Sequence, residues 1–558
     1  MQIRWMDLDC EFNMLLKYVN TKASLLFAIF ALLGSILSGC GKEKKTITPS
    51  SQKILTIPSL EDPISFDPRR ITYIRDFSVL RHLFTGLWRV EDGKNIVPSM
   101  VKTVEISKDR QTYIISLKEN FWSDNTPVTS YDFKESWAQV LSPNFSSVYS
   151  SIFYPIKNAK KIKEEGMDAS QLGVETPSHD QLVIHLEYPV SYFEELMAFP
   201  TTFPVHHKQR AAGMLPLKQI ISNGPFSLQQ WEPQEGISLN KHPLYWDHEN
   251  VSINQIKIKI IKNSSTAALM FQRGQLDWIG PPWYEAVLPE AMDQLRKNGK
   301  LNHAPLLGTS WLAVNLDHKY LKYPDIRHAL SMAIDRKEII KQALRSSQLP
   351  AHRILPPSLA HGDISTPSLT NKDEALKLFK KALINHGLSV EDFSSITLNY
   401  ISSYITDSKI SELIQKQWKE ILGIHINIEP CEAKLFLEKR SSQAYDLMIC
   451  KWVADFDDAL PFLEIFQGQG SGKSYSAIHY TKFKNKAYDA LLNQAIFASK
   501  SSLKKGFLLE AENILMKELP VLPIYYHIME YAVSPKLQNF NLSVAGGVDL
   551  THATYNEN

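Results

Sequence analysis

The stretch from residue 373 to residue 451 constrains the fold more than any other part of the chain. Residues 373–385 carry helical periodicity and are closed by Gly387. A short apolar run at 396–401 is of strand type, and 408–422 reads as a helix ending at Gly423. Ile424, Ile426 and Ile428 then alternate along a second strand, 433–440 forms a further helix, and 445–450 a third strand. Strands and helices alternating at these spacings predict a parallel α/β sheet, because a parallel connection must be long enough to hold a crossover helix. Ligands of such sheets sit beyond the carboxyl ends of the strands. The residues just past Cys450 are therefore the first place to look for function.

Size and composition narrow the class. A chain of 558 residues is too long for one hydrophobic core, so two or three domains are expected. Hydrophobic residues at 44% and charged residues at 22% describe a folded globular protein. Lys and Arg number 61 against 59 Asp and Glu, a formal charge of +2 that gives no polybasic surface for nucleic acid.

The amino terminus predicts export. An apolar run at 23–37 ends in Leu37-Ser38-Gly39-Cys40 and is followed by Gly41-Lys42-Glu43-Lys44-Lys45. The run has the length of a signal h-region and falls short of the ~20 residues of a membrane span. Cysteine after Leu-Ser-Gly resembles the lipobox of bacterial lipoproteins, which implies lipid on Cys40 as the first mature residue. Asp7, Asp9 and Glu11 do not suit a basic n-region, whereas a start at Met14 leaves Lys17 and Lys22 in that role. The polar residues from Thr46 to Lys53 read as a stalk. Beyond Cys40 only Cys431 and Cys450 remain, enough for one disulfide but not for a disulfide scaffold.

Elsewhere, 54–57 reads as a strand, and 101–106 with 113–117 as a β-hairpin around Ser107-Lys108-Asp109-Arg110. Thr129 followed by Asp132 marks a helix start, with Phe133, Trp137, Val140 and Leu141 carried before Pro143. A continuous helix is predicted over 324–344, where Ile326, Ala329, Leu330, Ala333 and Ile334 share one face.

Several motifs fail on spacing. Gly468-Gln469-Gly470-Ser471-Gly472-Lys473-Ser474 lacks the first glycine of a phosphate loop, since position 467 is Gln467. The same segment lacks the Gly-x-Ser-x-Gly pattern of a hydrolase. His206 and His207 would point to opposite faces of a strand, a poor metal pair. Asp455-Phe456-Asp457-Asp458 lacks the spacing of a calcium loop. Asp455, at the exit of the last predicted strand, remains, with a helix N-cap as its plain structural role.

Blocks along the chain resemble the dipeptide/oligopeptide-binding proteins of bacterial ABC importers. They begin with Asp62-Pro63-Ile64-Ser65-Phe66-Asp67-Pro68 and His82-Leu83-Phe84-Thr85-Gly86-Leu87. Phe121-Trp122-Ser123-Asp124-Asn125-Thr126-Pro127-Val128-Thr129, Asn223-Gly224-Pro225-Phe226 and Pro243-Leu244-Tyr245-Trp246 continue the series. Asp325-Ile326-Arg327-His328-Ala329-Leu330, Ala333-Ile334-Asp335-Arg336, Trp452-Val453-Ala454-Asp455-Phe456 and Pro523-Ile524-Tyr525-Tyr526 complete it. The resemblance implies an α/β fold of the periplasmic-binding-protein type, two α/β lobes joined by a hinge plus an extra domain. It implies a signal peptide over 1–39 and a lipidated stalk over 40–53. Lobe I is expected at 54–84, 205–300 and 525–558, the extra domain at 85–204, and lobe II at 301–524.

Carried over residue by residue, Asp455 matches the aspartate that holds the peptide α-amino group. Trp452, Val453 and Ala454 match the strand whose backbone pairs with the peptide, and Thr72, Tyr73 and Ile74 match a strand on its other side. Asp407 and Ile449 stand where basic residues receive the carboxylate of tri- and tetrapeptides, and neither can pair with one. Lys451 can replace them only if its side chain faces the cleft.

The expected function is a lipid-anchored, extracytoplasmic solute-binding protein that captures oligopeptides and delivers them to ABC importer permeases. A monomer is expected, with no cofactor, metal, nucleic acid or enzymatic activity. An alternative keeps the fold and binds a non-peptide or cell-wall-derived ligand such as a muropeptide, metal chelate or heme. A secreted hydrolase lacks a supporting Ser/His/Asp or Cys/His motif.

Overall fold

The computed structural model describes residues 53–556 except 64, 72–73, 213–219, 285–288, 361, 363–369, 469–480 and 499–500. The leader, Cys40, most of the stalk, Thr72, Tyr73 and all but Gly468 of the glycine-rich loop lie outside the described residues.

Two α/β lobes are built around separate sheets. The first sheet has four strands in the order Ile54–Ser59, Gln255–Ile260, Gly236–Lys241, Phe226–Glu232. Ile54–Ser59 pairs parallel with Gln255–Ile260, and the other two neighbours are antiparallel. Leu55, Ile57, Ile256, Ile258, Ile237 and Leu239 are buried, the alternation expected of strands with one face on a core. The added domain carries its own antiparallel sheet, Val101–Ile106, Thr112–Leu117, Gln181–His185 and Val174–Ser178. Its helix Ser130–Leu141 starts as predicted: the Asp132 carboxylate accepts from the Thr129 backbone N–H and hydroxyl, both at 3.0 Å.

The second lobe contains the stretch that dominated the sequence. Lys372–His386, Ile405–Leu422 and Ala433–Ser442 are helices, and Thr397–Ile401 pairs parallel with both Asn427–Cys431 and Leu447–Val453. Here the expectation needs correcting in two ways. The second strand begins at Asn427, with Ile424 and Ile426 buried ahead of it. The sheet is also mixed and seven-stranded, because two long strands, Asn302–Val314 and Val521–Val533, join it antiparallel. Cys431 and Cys450 lie on the two strands that flank Thr397–Ile401, and both thiols are free.

Those two strands carry the connection between lobes. The carboxyl-terminal end of Val521–Val533 pairs with Trp278–Ile279, and its amino-terminal part with Leu349–Pro350. Between the two ends the register with Asn302–Val314 breaks, from Pro305↔Ile528 to Thr309↔Tyr526. At the break the Leu307 carbonyl accepts from the Ala454 N–H at 2.7 Å, and the Leu307 N–H donates to the Val544 carbonyl at 2.8 Å. The Val544 N–H in turn donates to the Gly93 carbonyl at 3.0 Å. Gly308 leaves space for the His527 ring, whose nearest atoms would lie 3.0 Å from a Cβ there.

The helix predicted over 324–344 is interrupted. Pro324–Met332 ends, Asp335 caps Arg336–Ile339 through the Glu338 N–H at 3.0 Å, and a π-helical turn covers Ile340–Leu344. The cause is Arg336, which is buried and donates to the carbonyls of Ser331, Ile334 and Pro523. Buried carbonyls need donors, and a straight helix would not free Ser331 and Ile334 to meet this guanidinium. The histidine pair is likewise not in a strand: His207 opens the helix His207–Ala212, and the two rings lie 4.1 Å apart. Among the described residues no helix is long and apolar enough to cross a membrane.

Candidate functional site

The strand Leu447–Val453 is buried at its start and emerges at its end, with Leu447, Met448, Ile449 and Cys450 buried and Lys451 exposed. One edge pairs with Asn302–Val314 over its whole length, from Leu447↔Val314 to Val453↔Gly308. On the other edge the ladder to Thr397–Ile401 covers Leu447 and Met448. The outer edge of Ile449–Val453 therefore runs on past that ladder. The Ala454–Leu307 bond fixes the phase of the antiparallel pairing: Ala454 and Trp452 turn their peptide groups toward Asn302–Val314, and Lys451 and Val453 turn theirs toward the outer edge. An extended chain laid along such an edge gains main-chain hydrogen bonds regardless of its sequence.

Asp455 follows directly and is half-buried. It lines a cavity of about 250 Å³ together with Phe456, Asp457, Arg81, Glu195 and the Lys94–Ile96 side of a hairpin. The next helix, Leu460–Leu463, has Ala459 at its N-cap, so Asp455 is not the cap, and just ahead of it the Asp458 carboxylate accepts from the Leu460 N–H at 2.9 Å. Burial pushes the Glu195 carboxyl up and the Arg81 guanidinium down, the latter against the pull of Asp549. Charges this far withdrawn from water interact strongly with any charged guest. A second cavity of about 790 Å³ shares Glu195 and Asp457 with the first and reaches Lys108, Arg110, Lys504 and Lys505. Lys504 pairs with Asp458 and lies 4.8 Å from the centre of the Tyr192 ring.

At the other end of the exposed edge stands a polar group. Asp407 is buried in the first turn of Ile405–Leu422, and burial raises its carboxyl, with Lys451 opposing the shift. The Lys451 ammonium is 4.1 Å from the centre of the Tyr404 ring. His527 lies within hydrogen-bond reach of the Ser310 hydroxyl, at 2.9 Å, and burial with the Lys451 charge pushes it down to about 3. The Lys451 charge is thus felt by both Asp407 and His527.

Of the residues singled out in the sequence, Trp452, Val453, Ala454 and Asp455 are consecutive along this edge. Ile74 is not in a strand: it is the first residue of the helix Ile74–Leu83, and Arg81 on that helix reaches the cavity instead. Arg81 and Glu195 come from segments distant from Asp455, and no local spacing marks either as its partner, whereas Asp457 stands in the sequence only as part of the failed calcium-loop spacing.

Comparison with known proteins gives the family. Residues 95–474 match the family described as "Bacterial extracellular solute-binding proteins, family 5 Middle". The oligopeptide-binding protein OppA of Bacillus subtilis (strain 168) is 29% identical over 555 residues, covering 95% of this chain and 98% of that protein. The dipeptide-binding protein DppE of the same organism is 27% identical, covering 94% and 97%. Among solved structures, the murein tripeptide-binding protein MppA of Escherichia coli superposes with a TM-score of 0.77 at 25% identity, covering 91% of this chain and 99% of that one. The chain is a solute-binding protein and not an enzyme, and it belongs to family 5 of the bacterial extracellular solute-binding proteins.

Proposed function

We propose that the protein captures oligopeptides between its two lobes outside the cytoplasm and passes them to the permease of an ABC importer. The observation that carries this reading is Asp455, half-buried and lining a cavity at the end of a strand whose outer edge continues past its last partner. Asp455 takes the peptide α-ammonium, and the Lys451 and Val453 peptide groups pair with the peptide backbone, with Trp452 and Ala454 holding the strand in place. Thr72, Tyr73 and Ile74 border the peptide on its other side. Lobe I comprises 54–84, 205–300 and 525–558, the added domain 85–204, and lobe II 301–524. The monomeric protein is held at the membrane by lipid on Cys40, so radiolabelled palmitate should enter the wild-type protein and not Cys40→Ser.

The test is calorimetry with a peptide carrying a free or an acetylated amino terminus. Asp455→Ala should weaken the free-amine peptide by roughly 2–5 kcal/mol, because a partly buried ammonium loses its counter-charge. Equal losses for both peptides would remove Asp455 from this role. A second reading, a cell-wall peptide, is favoured by Asp407 and Ile449, which offer no cation at the positions where the family resemblance places one, and by the likeness to a murein tripeptide binder. Native mass spectrometry of protein purified with its ligands separates the two by mass.

A further inference from the structure

Away from Asp455, the helix Pro289–Lys297 meets the stretch from Arg336–Ile339 through the π-helical turn Ile340–Leu344 around a cavity of about 650 Å³. It shares no wall residue with the cavities beside Asp455. Four cations, Arg296, Lys337, Lys341 and Arg345, stand on its wall against one carboxylate, Asp293. Asp293 pairs with both arginines, Glu290 pairs with Arg345 at 2.6 Å, and Glu530 with Arg296 at 3.2 Å. Arg296 also donates to the Arg345 carbonyl at 3.4 Å, so both guanidinium groups are held in place. Arg345 has a left-handed backbone (φ 49°) at the close of the π-helical turn, a conformation that favours glycine, and its side chain supplies ion pairs that glycine could not. The lysines are different. Lys337 and Lys341 are exposed and four residues apart, and among the described residues neither has an ion pair or a hydrogen bond. Like charges at that spacing destabilise a helix. Glu338, the carboxylate between them, is engaged by Gln342 and Gln417 at 2.9 and 3.1 Å. On the same wall, the Ser346 hydroxyl oxygen is withdrawn from solvent and has no partner among the described residues.

We propose that this cavity is a binding site for a phosphate-class oxyanion, with Lys337 and Lys341 as its main contacts and the two arginines adding to the positive field. Ammonium groups on flexible stems close on an anion as point charges, and a guanidinium fork matches a pair of phosphate oxygens. The Ser346 hydroxyl can donate to a further oxygen. The volume falls in the range of small-molecule sites, so the oxyanion can carry a body that rests against Ile340 and Pro350. The same charged head occurs on dissolved phosphate esters and on phospholipid headgroups. A bound anion ties Pro289–Lys297 to the stretch 337–346, and a ligand that binds only the folded chain raises its unfolding temperature.

The experiment is calorimetry on the full-length protein in detergent at low ionic strength. One arm uses inorganic phosphate, the other glycerophosphoglycerol, the deacylated headgroup of phosphatidylglycerol. Wild type should bind at least one of them at a single site, with a rise in unfolding temperature. Lys337→Gln combined with Lys341→Gln should weaken that binding tenfold or more. Lys380→Gln combined with Lys381→Gln removes the same charge from an exposed pair on Lys372–His386 and should leave affinity within twofold of wild type. Tighter binding of phosphate assigns the ligand to solution, and tighter binding of the headgroup assigns it to the membrane; both uphold the oxyanion site. Binding of neither probe overturns the proposal. Equal weakening by the two double variants overturns it as well, because the anion would then answer to overall charge and not to this cavity.

Discussion

The ring of Phe456 lies flat against that of Tyr192, with centroids 5.2 Å apart and planes 15° from parallel, one residue beyond Asp455. On the proposed domain bounds Tyr192 lies in the added domain and Phe456 in the second lobe, so the stack would join the two across the cleft. Lys504 reinforces the junction, pairing with Asp458 below the same tyrosine ring. In the proposed reading the turn 455–458 offers its first residue to the guest's amino end, while Phe456 stacks on Tyr192 and Asp458 pairs with Lys504.

Tyr192→Leu keeps apolar volume at this junction and removes the stacked ring. Aromatic pairs contribute about 0.5–1.5 kcal/mol beyond their buried area. Peptide dissociation should therefore quicken by roughly two- to tenfold while association stays unchanged. Stopped-flow fluorescence measures both; a change confined to association would break the link between this stack and closure.

The fully buried Glu512 carboxylate is paired with Arg353 and accepts from the Leu355 N–H at 3.1 Å. Arg353→Met would leave that charge in the core with one backbone donor. Losing one partner of a buried pair destabilises by about 3–5 kcal/mol. Urea unfolding should show a lower midpoint with an unchanged slope, and a loss below ~1 kcal/mol would mean that water already shares the site.

His527 gives a pH signature. Its folded pKa is pushed down to about 3, by burial first and then by Lys451, whereas an unfolded histidine titrates near 6.5. Between those values the unfolded chain binds the extra proton, so this residue's contribution to stability is complete above pH ~6.5 and is lost as the pH falls toward ~3. His527→Gln should flatten the stability curve between pH ~6.5 and ~4.5, above the range where most carboxylates titrate. Identical slopes for wild type and variant would show that His527 is solvated.

Burial pushes the Cys450 thiol up to about 12, and the Cys431 thiol is raised as well. Thiolate is the reactive form. Neither residue should be alkylated by iodoacetamide at pH 8 in the native protein, and both should be after denaturation. Mass spectrometry of the tryptic peptides counts the labels.

Much of the second lobe was legible in the sequence because its elements are local. Periodicity and a glycine close Lys372–His386 and Ile405–Leu422, and these helices differ from the predicted spans by three residues or fewer. Ser130–Leu141 was legible for the same reason, through Thr129 and Asp132. Pattern failed where a distant partner decided the backbone. Arg336 reads as one more residue of a helix, yet the Pro523 carbonyl claims its guanidinium from far along the chain. The long strands Asn302–Val314 and Val521–Val533 were missed as a pair because nothing local announces a register shared across so many residues. In the site, Asp455 stood out at a strand exit, whereas Arg81 and Glu195 converge on it only in three dimensions.

Leu307 spends its N–H on Val544 and its carbonyl on Ala454, and Val544 reaches on to Gly93. On the proposed domain bounds its members sit on both sides of the pivot, so a swing of one lobe against the other would stretch this short string of amides. With a guest seated as proposed, opening would then tug directly on the floor beneath it. Release and lobe separation become a single mechanical event, and slowed amide exchange at Leu307 and Ala454 in the loaded protein would be its trace.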